Sequence, residues 1–120
     1  MLNRRVSFIG CGNMGKALVA GLLKAGMMTE HIGASDACQE RLKEVKDLGI
    51  NIFSDNREAV QRGEVILLAV KPSQVKEALL SIREELHQEK LLISVAAGIP
   101  TAFVEKVLDK PVPVIRVMPN

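Results

Sequence analysis

The residues best suited to chemistry stand in the stretch VSFIGCGNMGKAL, where an apolar run breaks into Gly10-Cys11-Gly12-Asn13-Met14-Gly15. This fits G-x-G-x-x-G, a spacing in which each glycine has its own task. Gly10 permits a tight turn, Gly12 lets the backbone approach a pyrophosphate, and Gly15 lets the next helix pack close to the strand. Backbone N–H groups at the helix start, aided by the helix dipole, then bind phosphate oxygens. The pattern means little without a strand before it and a helix after it, and both are readable here. The competing reading is a strand–helix corner with no ligand.

Three later stretches supply further candidates. Some 20 residues past the glycines, where a dinucleotide domain reads the ribose, the chain runs GASDACQER. A carboxylate at Asp36 suits the 2′-OH of NAD, while Ser35 with Arg41 or Lys43 suits the 2′-phosphate of NADP. Asp36 is also placed to cap the next helix. The stretch Ala69-Val70-Lys71-Pro72 ends a strand: Pro72 stops pairing and Lys71 projects from the carboxyl edge. At Ala96, Ala97 and Gly98 small side chains let a flat ring lie against the backbone, although tight turns use small residues too. Asn56 stands near where an adenosine would lie, or else caps a helix.

Other chemistries find little support. No Ser-His-Asp, Cys-His, paired-carboxylate or H-E-x-x-H set is present, so no catalytic residue is assigned. Cys11 and Cys38 give neither metal-ligand spacing nor a disulfide framework. A helix N-terminus lowers a thiol pKa, which bears on Cys11, but a small filler is the stronger reading there. His31 and His87 have no partner motif. A net charge of +2 and 2% aromatic residues argue against a nucleic-acid partner. Glycines cut the N-terminal apolar stretch too early for a signal core or membrane span. The chain therefore reads as soluble, cytoplasmic and reduced.

The elements that must position these residues alternate in type. Val6–Ile9, Ile32–Ser35, Ile50–Phe53, Val65–Val70, Leu91–Val95 and Val114–Val117 read as strands, several apolar without alternation. Met14–Ala25, Gln39–Leu48, Asn56–Arg62, Ser73–Glu85 and Ala102–Leu108 read as helices. Asp36, Asp55 and Thr101 are expected as start signals, Gly26 and Gly49 as stops. Such alternation predicts an α/β fold: a Rossmann-like, doubly wound, mainly parallel sheet with helices on both faces. The 120 residues make one domain. Met14 and Met118 read as packing residues beside the ligand's path.

The strings FIGCGNMGKAL, AVKP at 69–72, AAG at 96–98 and the terminal RVMPN, in that order, resemble pyrroline-5-carboxylate reductase. The resemblance implies reduction of the imine of 1-pyrroline-5-carboxylate to L-proline with NADPH or NADH, in proline synthesis. It implies that Gly10 to Gly15 form the pyrophosphate turn and that Ser35 faces the ribose or its 2′-phosphate. Asn56 would touch the adenosine, while Ala69–Pro72 and Ala96–Gly98 line the groove toward the nicotinamide. Many bacterial members carry Ser-x-Arg at the second strand's end; here Ala37 stands in the arginine's place, which weakens NADP selectivity unless Arg41 compensates. The resemblance also implies a C-terminal helical domain, absent from this chain, that forms a homo-oligomer and holds the imine. Alone, the 120 residues are then expected to bind dinucleotide with little turnover. A β-hydroxyacid dehydrogenase cofactor domain and a non-catalytic nucleotide-binding module remain as alternatives.

Overall fold

Each of the six apolar runs becomes a strand of one parallel sheet in the computed structural model, which describes residues 4–118. The elements are β1 Val6–Ile9, α1 Asn13–Lys24, β2 Ile32–Ser35, α2 Gln39–Lys46, β3 Asn51–Phe53 and α3 Asn56–Arg62. They continue with β4 Val65–Leu68, α4 Val75–Ile82, β5 Leu91–Ser94, α5 Thr101–Leu108 and β6 Val114–Arg116. The strand order is β3-β2-β1-β4-β5-β6. The doubly wound α/β expectation is met. Pro119 and Asn120 of the terminal motif lie outside the described residues.

Helices on both faces explain why several strands are apolar without alternation. In β1, Val6 and Phe8 enter a core with Val19 of α1 and Leu42 and Val45 of α2. Ile9 points into the opposite core, with Ala59 and Val60 of α3, Leu79 and Ile82 of α4, and Val104 and Leu108 of α5. The cover on the α1–α2 face thins toward β6. The cross-strand row Phe8, Leu67, Ile93, Ile115 runs from a fully buried phenylalanine to an isoleucine that is 48% exposed.

Helix punctuation differs from expectation in four places. Asp55 does cap α3, its carboxylate accepting the Arg57 N–H at 2.8 Å. Asn56 is therefore the first helical residue and not the cap. The cap position of α2 is Cys38, with no side-chain bond; Asp36 sits two residues earlier and accepts the Cys38 N–H in a local turn. Thr101 likewise lies one place inside α5, behind Pro100. The stretch expected as one helix from Ser73 to Glu85 is α4 with a 3-10 turn at either end, Pro72–Gln74 and Arg83–Glu85. Proline starts the first of these because it has no N–H to satisfy. Gly26 and Gly49 follow α1 and α2 as expected, and the end of α3 is held by Lys90, whose ammonium donates to the carbonyls of Val60 and Gly63 at 2.8 and 2.6 Å.

Candidate functional site

From β1 the chain winds outward to β2 and β3, then returns to β4 on the other side of β1. The connections leaving the carboxyl ends of β1 and β4 therefore diverge, and a crevice opens between them. The turn after β1 and the AVKP stretch after β4 meet at its floor, where the Ala69 N–H donates to Ile9 O at 2.8 Å.

The three glycines of the turn are required for different reasons. Gly10 has φ +94°, and a Cβ there would lie 2.7 Å from Ala69 O. A Cβ on Gly15 would lie 2.7 Å from Gly10 O, so the start of α1 packs on the turn itself. Gly12 differs. Its φ of −70° is open to any residue, and the nearest protein atom to an added Cβ is Arg41 Cζ at 3.8 Å. Packing demands glycine at 10 and 15 but not at 12, where the backbone faces the cleft. Gly12 is also the cap of α1 and contributes no side-chain acceptor, so none competes for the first-turn N–H groups. This is the geometry that a pyrophosphate fits.

Asp36 ties this turn to the next strand end. One carboxylate oxygen accepts the Cys11 N–H at 2.8 Å and the other the Cys38 N–H at 2.8 Å. Arg41, in the first turn of α2, brings Nη1 to 3.9 Å from the same carboxylate. Ser35 is buried, and its hydroxyl donates to Asn56 Oδ1 at 2.6 Å. Asn56 Nδ2 in turn donates to Ser81 Oγ at 3.1 Å, and Ser81 Oγ donates to Ala78 O at 2.6 Å. This hydrogen-bonded chain joins β2, α3 and α4 along one wall.

Cys11 lies in the core, and its thiol is pushed up to about 12, by burial first and then by the Asp36 charge. The weaker alternative, a thiol lowered by the helix N-terminus, gives way to the filler reading, because burial disfavours the thiolate. Cys11 is a filler. The cleft itself measures about 1100 Å³. Of the expected site residues, Gly10, Gly12, Asn13, Met14, Asp36, Asn56, Ala69, Val70, Lys71, Ala96 and Ala97 line it. Cys11, Gly15, Ser35, Pro72 and Gly98 are not among the lining residues. Met14 faces the cleft, whereas Met118 is 70% exposed and packs little. Sequence reasoning missed Gln74, Glu77 and Ser81, which also line the cleft. Their spacing of three and four residues sets them along one side of α4 and of the 3-10 turn that precedes it. A second cavity of about 250 Å³, at the opposite edge of the sheet, contains none of the expected residues. Among the described residues no group of three or more His, Cys, Asp or Glu could hold a metal ion, and no helix is long and apolar enough to cross a membrane.

A parallel sheet whose winding order reverses between β1 and β4, with a glycine turn opening a helix at that point, defines a dinucleotide-binding domain of the Rossmann class. The family model described as "NADP oxidoreductase coenzyme F420-dependent" matches residues 5–98, and the chain belongs to this family. The chain is 43% identical, over its whole length, to the pyrroline-5-carboxylate reductase of Methanosarcina acetivorans, of which it covers 45%. The solved pyrroline-5-carboxylate reductase of Coxiella burnetii superposes with a TM-score of 0.93 at 34% identity, over 98% of this chain and 44% of that one. The pyrroline carboxylate reductase of Plasmodium falciparum, solved with NADP bound, gives a TM-score of 0.88 at 30% identity, over 100% of this chain and 44% of that one. The resemblance read from the motifs is thereby borne out. The chain spans less than half the length of these relatives.

Proposed function

We propose that this chain is the cofactor domain of a pyrroline-5-carboxylate reductase, holding NADPH or NADH while a hydride passes to the C=N bond of 1-pyrroline-5-carboxylate to give L-proline. The observation that carries this reading is Gly12, which the protein's own packing does not require and whose backbone lies open to the cleft. When bound, the dinucleotide supplies the hydride. The turn from Gly10 to Gly15 holds the pyrophosphate on the first-turn N–H groups of α1. Ser35, Asp36 and Asn56 order the adenosine side; Ser35 and Cys11 do so from beneath the surface. Lys71 and the small side chains of Ala96 and Ala97 line the groove toward the nicotinamide, flanked by Pro72 and Gly98.

No side chain of this chain acts as acid or base. Hydride transfer to an imine that arrives protonated asks mainly for near-attack positioning. A helical domain outside these 120 residues holds the imine and forms the homo-oligomer, and the exposed apolar side chains of Ile115 and Val117, at the end of the sheet, are a surface suited to meet it. The enzyme works in the cytoplasm. Fluorescence titration with NADPH and NADH, followed by a pyrroline-5-carboxylate turnover assay on the same sample, tests this. Nucleotide binding with little turnover is the expected result. Full turnover would remove the need for a second domain, and failure to bind either nucleotide would overturn the reading.

A further inference from the structure

Asp36 stands where a Rossmann domain that selects NAD keeps the acid for its ribose 2′-OH. Here both of its oxygens are already engaged by backbone N–H groups at 2.8 Å, and its side chain is only 7% exposed. Two short charge-assisted bonds, 25 and 2 residues apart in sequence, pin the carboxylate against the glycine turn. Its geometry serves the protein's own backbone.

Arg41 is in the opposite condition. Among the described residues its one ion-pair contact is the 3.9 Å approach to Asp36, too long for a hydrogen bond. The guanidinium, a planar and permanently charged fork, is 39% exposed. It stands over Gly12 at the mouth of the turn, beside the strand end that meets the ribose. The acidic groups facing the same part of the cleft are Glu40 and Glu44. Glu44 is drawn to Lys16 at 3.4 Å, and neither glutamate pairs with Arg41 among the described residues.

We propose that Arg41 is the residue that selects the dinucleotide's 2′-phosphate, and that Asp36 is a positioning residue that sets the glycine turn through the Cys11 N–H. This rests on the reading of the cleft as a dinucleotide site. The chain takes over, from the first turn of α2, the charge that Ala37 does not supply at the strand end.

The test compares the chain with Arg41→Gln and Asp36→Asn in fluorescence titrations with NADPH and NADH. Competition by 2′,5′-ADP and by 5′-AMP isolates the ribose end. Arg41→Gln is expected to weaken NADPH and 2′,5′-ADP by about tenfold, the scale of one lost charge-assisted contact, while NADH and 5′-AMP change by less than about twofold. Asp36→Asn is expected to weaken NADPH and NADH alike, leaving their ratio unchanged. Equal losses for both dinucleotides in Arg41→Gln would overturn the proposal, making Arg41 a pyrophosphate anchor, while the cleft reading survives. Selective loss of NADH in Asp36→Asn would overturn it from the other side. An unaltered Kd for NADPH in Arg41→Gln would do so outright. A parent chain that bound neither nucleotide would remove the cleft reading and this proposal together.

Discussion

Gly10 and Gly12 stand two residues apart, yet a methyl group added to each meets opposite surroundings. In Gly12→Ala the backbone, at φ −70° and ψ −158°, suits alanine, and the nearest protein atom lies 3.8 Å from the new Cβ. The unfolded chain loses freedom, worth about 0.4–1 kcal/mol of stability, and alanine caps a helix less well than glycine by about 0.5–1 kcal/mol. These offset each other, so the melting midpoint is expected to stay within about 4 °C of the parent. In Gly10→Ala the positive φ costs about 1–3 kcal/mol. The new Cβ would also lie 2.7 Å from Ala69 O and 2.8 Å from Val70 Cγ1, and relieving that overlap costs about 1–3 kcal/mol more. A total of about 2–6 kcal/mol is a large share of the about 5–15 kcal/mol that holds a domain together. Gly12→Ala should therefore fold and lose dinucleotide affinity by at least about tenfold, a cost of about 1.4 kcal/mol, whereas Gly10→Ala should melt far lower. Circular dichroism melts paired with NADPH titrations read both effects. Parent-like affinity in Gly12→Ala would refute the cradle, and an unfolded Gly12→Ala would refute the geometry of the turn.

Three further expectations follow from other contacts. Lys90→Met leaves the carbonyls of Val60 and Gly63 without their ammonium and should lower the urea unfolding free energy by about 1–3 kcal/mol; an unchanged value would mean water replaces the lysine at no cost. The Arg57 N–H holds the Asp55 carboxyl, and the Arg5 N–H the Glu64 carboxyl, below the ordinary carboxylate range. The folded state then binds fewer protons than the unfolded one, so this stability is present above that range and is lost as pH falls through the lowered values. Asp55→Asn keeps a capping acceptor but no longer titrates, and its urea midpoints should fall less steeply than the parent's between about pH 6 and pH 3. Iodoacetamide at about pH 8 should label the partly exposed Cys38 and spare the buried Cys11, whose thiol is pushed up to about 12. Mass spectrometry reads this, and labelling of Cys11 first would contradict its burial. NADPH should protect Cys38, which lines the cleft.

The sequence by itself determined the alternation of strands and helices, the doubly wound class and the glycine turn. Each depends on local spacing: apolar runs of strand length, helical periodicity, and glycines or prolines at the joints. The motif order even reached the family, because AVKP and AAG mark the ends of β4 and β5, where a parallel sheet exposes its loops. Partners distant in the chain were supplied only by the tertiary structure. Asp36 looked like a ribose acid or a helix cap, but the nearest donors in space include the N–H of Cys11, 25 residues back. Ser35 read as a contact to the ribose or its 2′-phosphate, and only the fold brings Asn56, 21 residues on, to its hydroxyl. Cys11 read as a small filler with an activated thiol as the weaker alternative, and packing between sheet and helices, which excludes the water a thiolate needs, decides for the filler. Gln74, Glu77 and Ser81 carried no local mark of a site, since only the placement of α4 beside the crevice makes them part of it. Spacing along the chain specifies backbone geometry, whereas the partner of a polar side chain is chosen by whatever the fold places within about 3 Å of it.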